Sequence, residues 1–142
     1  MKCVPIAAVL VTTMLPEASA LELTIELTGL ENNNGSLLYA VYADEESFLS
    51  GADTALANGF LPLSDKSETP EITVSLDPGQ YAVAVFHDEN ANGKLDTGAF
   101  SIPVEGYGFS QNPNTNTAPP SFSETRVVLD ESDKTIEVQL KY

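Results

Sequence analysis

Glu71-Ile72-Thr73-Val74-Ser75-Leu76-Asp77-Pro78-Gly79-Gln80-Tyr81-Ala82-Val83-Ala84-Val85-Phe86 reads as two strands joined by a turn. Ile72, Val74 and Leu76 alternate with polar residues, the period of two that turns one face of a strand to a core and the other to water. Asp77 to Gln80 offers proline and glycine for the two central positions of a type II turn, where the chain is predicted to reverse. Tyr81 to Phe86 is apolar at every position, as in a strand at the centre of a sheet with both faces covered.

The same signals recur on either side. Leu21, Leu23, Ile25 and Leu27 alternate with Glu22, Thr24, Glu26 and Thr28. Asn32-Asn33-Asn34-Gly35 follows, and because Asn-Gly favours positive φ in a tight turn, a hairpin is predicted into Leu37-Leu38-Tyr39-Ala40-Val41-Tyr42. Asp44 to Ser67 loses the alternation and reads as a long crossing between sheets, with a short helical turn at Asp44 to Leu49. Near the end, Arg126 to Leu129, a turn through Asp130 to Asp133, and Ile136, Val138 and Leu140 complete the set. The expected fold is all-β: a single antiparallel β-sandwich of about seven strands, of the immunoglobulin or transthyretin type. No internal repeat is visible. Phe86 to about Ser121 is polar and rich in glycine and asparagine, a length of loop that is usually functional or disordered.

The first residues have a different character. Lys2 is followed by the apolar run Val4 to Val11 and then by Ala18-Ser19-Ala20, the small-x-small form that signal peptidase cleaves. Residues 1–20 are therefore expected to be a signal peptide and residues 21–142 one sandwich domain, in a periplasmic or secreted protein. The apolar run is too short to span a bilayer, which takes about 20 such residues, and no transmembrane segment is expected in the mature chain. The sole cysteine, Cys3, lies in the segment to be removed, so neither a disulfide nor a thiol nucleophile is expected. A chain of this length buries roughly 60–70% of its unfolded surface, enough for one core.

The full chain of 142 residues carries 21 Asp+Glu against 6 Lys+Arg, a formal charge of −15. Removing Lys2 and Glu17 takes one charge of each sign and leaves that value unchanged. A field of this sign repels phosphate, so nucleic acid and anionic lipid surfaces are poor partners. An envelope protein or a glycan is the expected kind of partner, and cations are attracted.

One loop carries a specific pattern. Asp88-Glu89-Asn90-Ala91-Asn92-Gly93-Lys94-Leu95-Asp96 places oxygen-bearing side chains at relative positions 1, 3, 5 and 9 and glycine at 6, the spacing of an EF-hand-type calcium loop. Alternate side chains on a tightly curled backbone converge, glycine permits the bend, and the Lys94 carbonyl adds an oxygen at position 7. The expected ligands of Ca2+ are Asp88, Asn90, Asn92, the Lys94 carbonyl and Asp96. Position 12, normally a bidentate glutamate, is Ala99. Glu105 is the nearest acid downstream of Asp96 and is expected to complete the shell. The competing reading is a chain of turns, since Asn and Asp bond their own backbone and tolerate left-handed conformations.

Other chemistry finds less support. His87 is the sole histidine and stands beside Asp88, but there is no G-x-S-x-G nucleophile elbow. Its role is read as structural, with ligation or proton transfer as the alternative. Nothing in the spacing of the acids selects a glycosidase pair, and no enzyme is expected. Tyr107 and Phe109 have glycine neighbours in Glu105-Gly106-Tyr107-Gly108-Phe109-Ser110. They could offer a platform to a sugar or peptide, or fold back over the core. The first option defines an alternative function, a carbohydrate- or peptide-binding module with the acidic loop as scaffold.

Three segments, Ala82-Val83-Ala84-Val85-Phe86-His87-Asp88 running on to Asp96, Ile102-Pro103-Val104-Glu105 running on to Ser110, and Pro119-Pro120-Ser121-Phe122, form a recognisable set. The chain resembles the bacterial exported proteins grouped as domain of unknown function 2141, from its first strand to Val138-Gln139-Leu140-Lys141-Tyr142. That resemblance implies a periplasmic or secreted β-sandwich and no assigned activity. It also implies that the Asp88 loop and the Glu105 to Ser110 segment belong to one site.

Overall fold

The computed structural model describes residues 19–64 and 69–142. The predicted signal peptide, Cys3 included, lies outside the described residues apart from Ser19 and Ala20. Eight strands form two sheets: β1 Leu21–Thr28, β2 Ser36–Tyr42, β3 Ala57–Pro62, β4 Glu71–Leu76, β5 Gly79–Asp88, β6 Tyr107–Phe109, β7 Val127–Leu129 and β8 Lys134–Gln139. One sheet has the order β4-β1-β8, and the other runs β3-β2-β5-β6 with β7 also paired to β5. The expected β-sandwich is present, with one strand more than anticipated.

Period-two patterning makes the core. Leu23, Ile25 and Leu27 of β1 and Ile72, Val74 and Leu76 of β4 face Leu37 and Val41 of β2 and Tyr81, Val83 and Val85 of β5. Val127, Leu129, Val138 and Leu140 extend the same cluster. Every side chain here comes from an alternating position, so a one-residue slip of any strand would turn its apolar set to water.

Several pairings differ from the sequence expectation. β1 and β2 are not a hairpin. β1 is flanked by β4, antiparallel with Ile25 opposite Ile72, and by β8, parallel with Ile25 opposite Ile136. With both edges occupied, β1 has no place for β2, and Asn32 to Gly35 carries the chain across to the other sheet. The parallel β1–β8 pair also makes the sandwich less than wholly antiparallel.

β4 and β5 likewise lie in different sheets. Gly79 is the first residue of β5 rather than the left-handed centre of a type II turn. What holds this corner is the buried Tyr81, whose hydroxyl donates to the carbonyl of Asp77 at 2.5 Å. A tyrosine at the start of a strand, bonded back a few residues upstream, is the tyrosine corner of sandwiches whose chain crosses from one sheet to the other.

The stretch expected as a long crossing contains β3, antiparallel to β2 at the sheet edge. Gly59 and Pro62 mask it in the sequence, and proline is tolerated because an edge strand has one side without ladder bonds. The predicted turn at Asp44 is present: its carboxylate accepts from the Ser47 amide at 2.7 Å, a bond that holds the Asp44 carboxyl below its ordinary value. A single helical turn, α1 Phe122–Thr125, is closed by a capping box between Ser121 and Glu124. The Ser-x-x-Glu spacing is visible in the sequence at Ser121.

Candidate functional site

β5 delivers His87 and Asp88 to one end of the sandwich, where the curled loop begins. Asp88 is 3% exposed. Its two carboxylate oxygens accept from the backbone amides of Asn92 at 3.1 Å and Gly93 at 2.8 Å. Asn90 Oδ1 accepts from the Asn92 amide at 3.2 Å, and Asn92 Oδ1 from the Lys94 amide at 2.9 Å. The bend needs left-handed backbone at Ala91 and Gly93. At Gly93 an added Cβ would meet nothing within 4 Å, so glycine is there for its φ and not for space.

The loop closes through Asp96 and Glu105. The Asn90 and Asn92 side-chain amides donate to the Asp96 carboxylate at 2.5 Å and 2.8 Å. Glu105, 4% exposed, accepts from the Glu89 amide through Oε1 at 3.1 Å and from the Asp96 amide through Oε2 at 3.0 Å. One carboxylate thus ties the start of the loop to its end, across the gap left by Ala99 at position 12. Asp88, Asn90, Asn92, Asp96 and Glu105 form one connected assembly, and Lys94 lies within the same loop.

Two electrostatic facts bear on what this assembly can hold. Among the described residues, no three His, Cys, Asp or Glu side chains come together as a metal-ligating group. Neither Asp88 nor Glu105 has a lysine or arginine within 4.0 Å among those residues. Two buried carboxylates are therefore held by backbone N–H dipoles alone.

His87 is fully buried. Its Nε2 lies 2.6 Å from the Asn34 carbonyl, which can only accept, so Nε2 carries the proton. Nδ1 is hydrogen-bonded with the Tyr142 hydroxyl at 2.7 Å. The imidazole fastens the Asn32 to Gly35 crossing and the C-terminal residue to β5. Burial and the carboxylates of Glu89 and Glu31 push the Tyr142 hydroxyl above its ordinary value, although the Glu31 amide works in the opposite direction.

The segment Glu105 to Ser110 acquires a physical reason at each residue. Glu105 clamps the loop. At Gly106 an added Cβ would fall 2.5 Å from the Tyr142 ring, and at Gly108 2.7 Å from the Gln139 carbonyl. Tyr107 and Phe109 pair with Phe86 and Ala84 in register and share their outward face. Ser110, fully buried, accepts from the Val83 amide at 2.9 Å and donates to the Thr125 carbonyl at 2.5 Å, joining β5 to α1.

The family described as "Uncharacterized protein conserved in bacteria (DUF2141)" matches residues 25–137. The chain belongs to this family. No curated protein and no solved structure matches it. Both the Asp88 loop and the Glu105 to Ser110 segment fall inside the family's span, and Glu105 joins them into one unit.

Sequence reasoning missed an apolar groove on the outside of the larger sheet. Tyr107 and Phe109 do not fold over the core. Both stand on the outward face, Tyr107 in a row that crosses four strands through Phe60, Leu38 and Phe86, and Phe109 beside Ala84 in the next row. The groove above this face encloses about 1180 Å³. Its walls include Gly93 to Leu95 and a two-stranded projection in which the Gly98 amide donates to the Ile102 carbonyl at 2.7 Å. The tip of that projection, Phe100 and Ser101, is left-handed at both residues, and Phe100 is 97% exposed. The signal was present in the sequence as a β5 that is apolar on both faces.

Proposed function

We propose that the chain is an exported, non-catalytic module that binds a hard cation, calcium, in the Asp88–Asp96 loop. The observation that carries this reading is the pair of buried carboxylates, Asp88 and Glu105, without a cationic side chain within 4.0 Å among the described residues. Buried charges are normally paired or coordinate a metal. The donor set is all oxygen, as calcium requires. Each carboxylate oxygen of Asp88 and Glu105 keeps a lone pair beyond its N–H bond. The Asn90 and Asn92 amides turn nitrogen toward Asp96, and half a turn of each amide would bring two more oxygens to that carboxylate. With so few carboxylates, affinity falls in the range of about 10⁻⁴ to 10⁻³ M found for extracellular modules. Export rests on the N-terminal pattern, and its check is recovery from an envelope or medium fraction of a protein beginning at Leu21.

The test is thermal unfolding of residues 21–142 in chelator and in excess calcium, with Asp88→Ala alongside. At a hundredfold excess over Kd, binding to the folded state alone adds about 2.7 kcal/mol. A midpoint that rises with calcium in the unmutated protein only is the expected result. No response in either protein refutes the cation reading.

A second reading, a carbohydrate- or peptide-binding surface at Tyr107 and Phe109 with the loop as scaffold, draws support from the open face on which both rings stand. Binding to a glycan array that persists in chelator would favour it over the cation module.

A further inference from the structure

We infer that the groove on the outer face of the larger sheet binds a long-chain carboxylate, its hydrocarbon lying along Ala40 and Ala84 and its carboxylate at Lys94. None of Asp88, Asn90, Asn92, Asp96 and Glu105 lines this groove, which shares with the proposed cation loop the stretch Gly93 to Leu95, Lys94 included.

An open sheet face of a two-layer sandwich is normally polar, because no second layer covers it. Here it is largely apolar, although Asn58 of β3 stands opposite Ala40. Ala40 of β2 pairs directly with Ala84 of β5, and the next outward pair along the ladder is Leu38 with Phe86. Two alanines between larger neighbours make a trough. Phe60 on β3, 69% exposed, stands at one rim. The groove, about 1180 Å³ and open along one side, is at least as large as the roughly 300–1,000 Å³ usual for small-ligand pockets and so admits a long hydrocarbon chain.

The polar groups narrow the ligand class. A sugar or an extended peptide brings many hydrogen-bonding groups that need partners when buried. Of the polar side chains lining the groove among the described residues, Tyr107 is engaged with Thr115 at 3.2 Å, Asn58 with the Ala52 carbonyl at 2.9 Å and Tyr42 with the Gly51 carbonyl at 3.4 Å, which leaves only Tyr39, Ser101, Asn116 and Thr117 to meet that demand. Hydrocarbon makes no such demand.

Charge sets the end group. The chain holds 21 acids and 6 bases, yet among the described residues no Asp or Glu lines the groove, and Lys94 is the one charged residue that does. Among the described residues Lys94 has no acid within 4.0 Å. The general negative field disfavours anionic surfaces, but a single-chain carboxylate is retained chiefly by hydrocarbon burial, and Lys94 orients it.

The experiment uses residues 21–142 in chelator throughout, so that its outcome is independent of the cation reading. N-phenyl-1-naphthylamine, a neutral fluorescent probe, is titrated in and then displaced by oleate, oleyl alcohol, hexanoate or an apolar extended peptide. Oleate should displace the probe best and hexanoate poorly. Lys94→Gln should weaken oleate by about 2- to 5-fold, the effect of losing one solvent-exposed ion pair, and leave oleyl alcohol unchanged. Ala84→Trp, which fills the trough, should abolish displacement. Should that variant fail to fold, Phe60→Glu at the exposed rim provides the second test and should weaken oleate more than oleyl alcohol. Absence of probe binding, or full binding by a folded Ala84→Trp, overturns the site. Equal displacement by oleate and oleyl alcohol with no effect of Lys94→Gln, or preferential displacement by the peptide, overturns the ligand class.

Discussion

Removing the Glu105 carboxylate tests whether the loop is held by a single buried clamp. Glu105 accepts two backbone N–H bonds at 3.1 and 3.0 Å, from residues at opposite ends of the loop. Hydrogen bonds to a charged acceptor contribute about 1.5–3 kcal/mol each. Glu89 and Asp96 are only half-buried, so water recovers part of each bond when the side chain is cut back, and the lower end of the range applies. Glu105→Ala should therefore cost about 3 kcal/mol, which at roughly 3–5 °C per kcal/mol for a domain of this size lowers the unfolding midpoint by about 10 °C. Glu105→Gln keeps one acceptor and turns an amide N–H against the other backbone N–H, so it should fall about midway. The assay is thermal unfolding by circular dichroism in chelator, with amide exchange at Glu89 and Asp96 as a local readout. A Glu105→Ala protein that melts within about 2 °C of the unmutated one, or a Gln variant as damaged as the Ala variant, would refute the clamp.

Two further outcomes follow from the packing around Tyr142. Gly106→Ala places a methyl group against the Tyr142 ring and should destabilise by about 1–3 kcal/mol. The double variant with Tyr142→Ala should be less than additive, and strict additivity in the melts would show that ring and glycine do not touch. Alkaline pH provides a separate handle. The hydroxyls of Tyr142, Tyr81 and Tyr42 are raised above the ordinary value of 10.0, mainly by burial. A raised folded-state value means the unfolded chain loses its proton first, so stability should hold below about pH 10 and fall as pH rises through the folded values. Tyr142→Phe should lessen that fall when midpoints are measured across the alkaline range.

Sheet neighbours were the least legible feature. β1 and β4 announce themselves by period two, yet the same alternation is compatible with a hairpin or with a crossing to the opposite sheet. Which one occurs depends on whether an edge is free, and β8, the last strand in the chain, takes the second edge of β1. At Asp77 to Tyr81 the turn residues pointed to a local reversal. The Tyr81 hydroxyl instead holds a crossing corner, and no local propensity distinguishes the two. β3 was hidden because Gly59 and Pro62 lower its apparent propensity, although an edge position tolerates both.

The loop shows the opposite balance. Asp88, Asn90, Asn92, Gly93 and Asp96 were legible because turn chemistry acts over a few residues, and Glu105 could be nominated as the next acid along the chain. The way it meets the loop, with one oxygen on each end, required the chain to return along β5 through the His87–Gly106 contact. From the sequence alone came the β class, the buried faces of β1, β4 and β8, a β5 apolar on both faces, and the curled acidic loop, since side-chain period and local turn preference are properties of neighbouring residues. Tertiary structure alone decided which sheet each strand joined, that Asp88 and Glu105 lose contact with water, and that Phe86, Tyr107 and Phe109 floor an open groove. A strand apolar on both faces reads identically whether a second layer or a ligand-sized space lies above it, because burial depends on what the rest of the chain brings to that face.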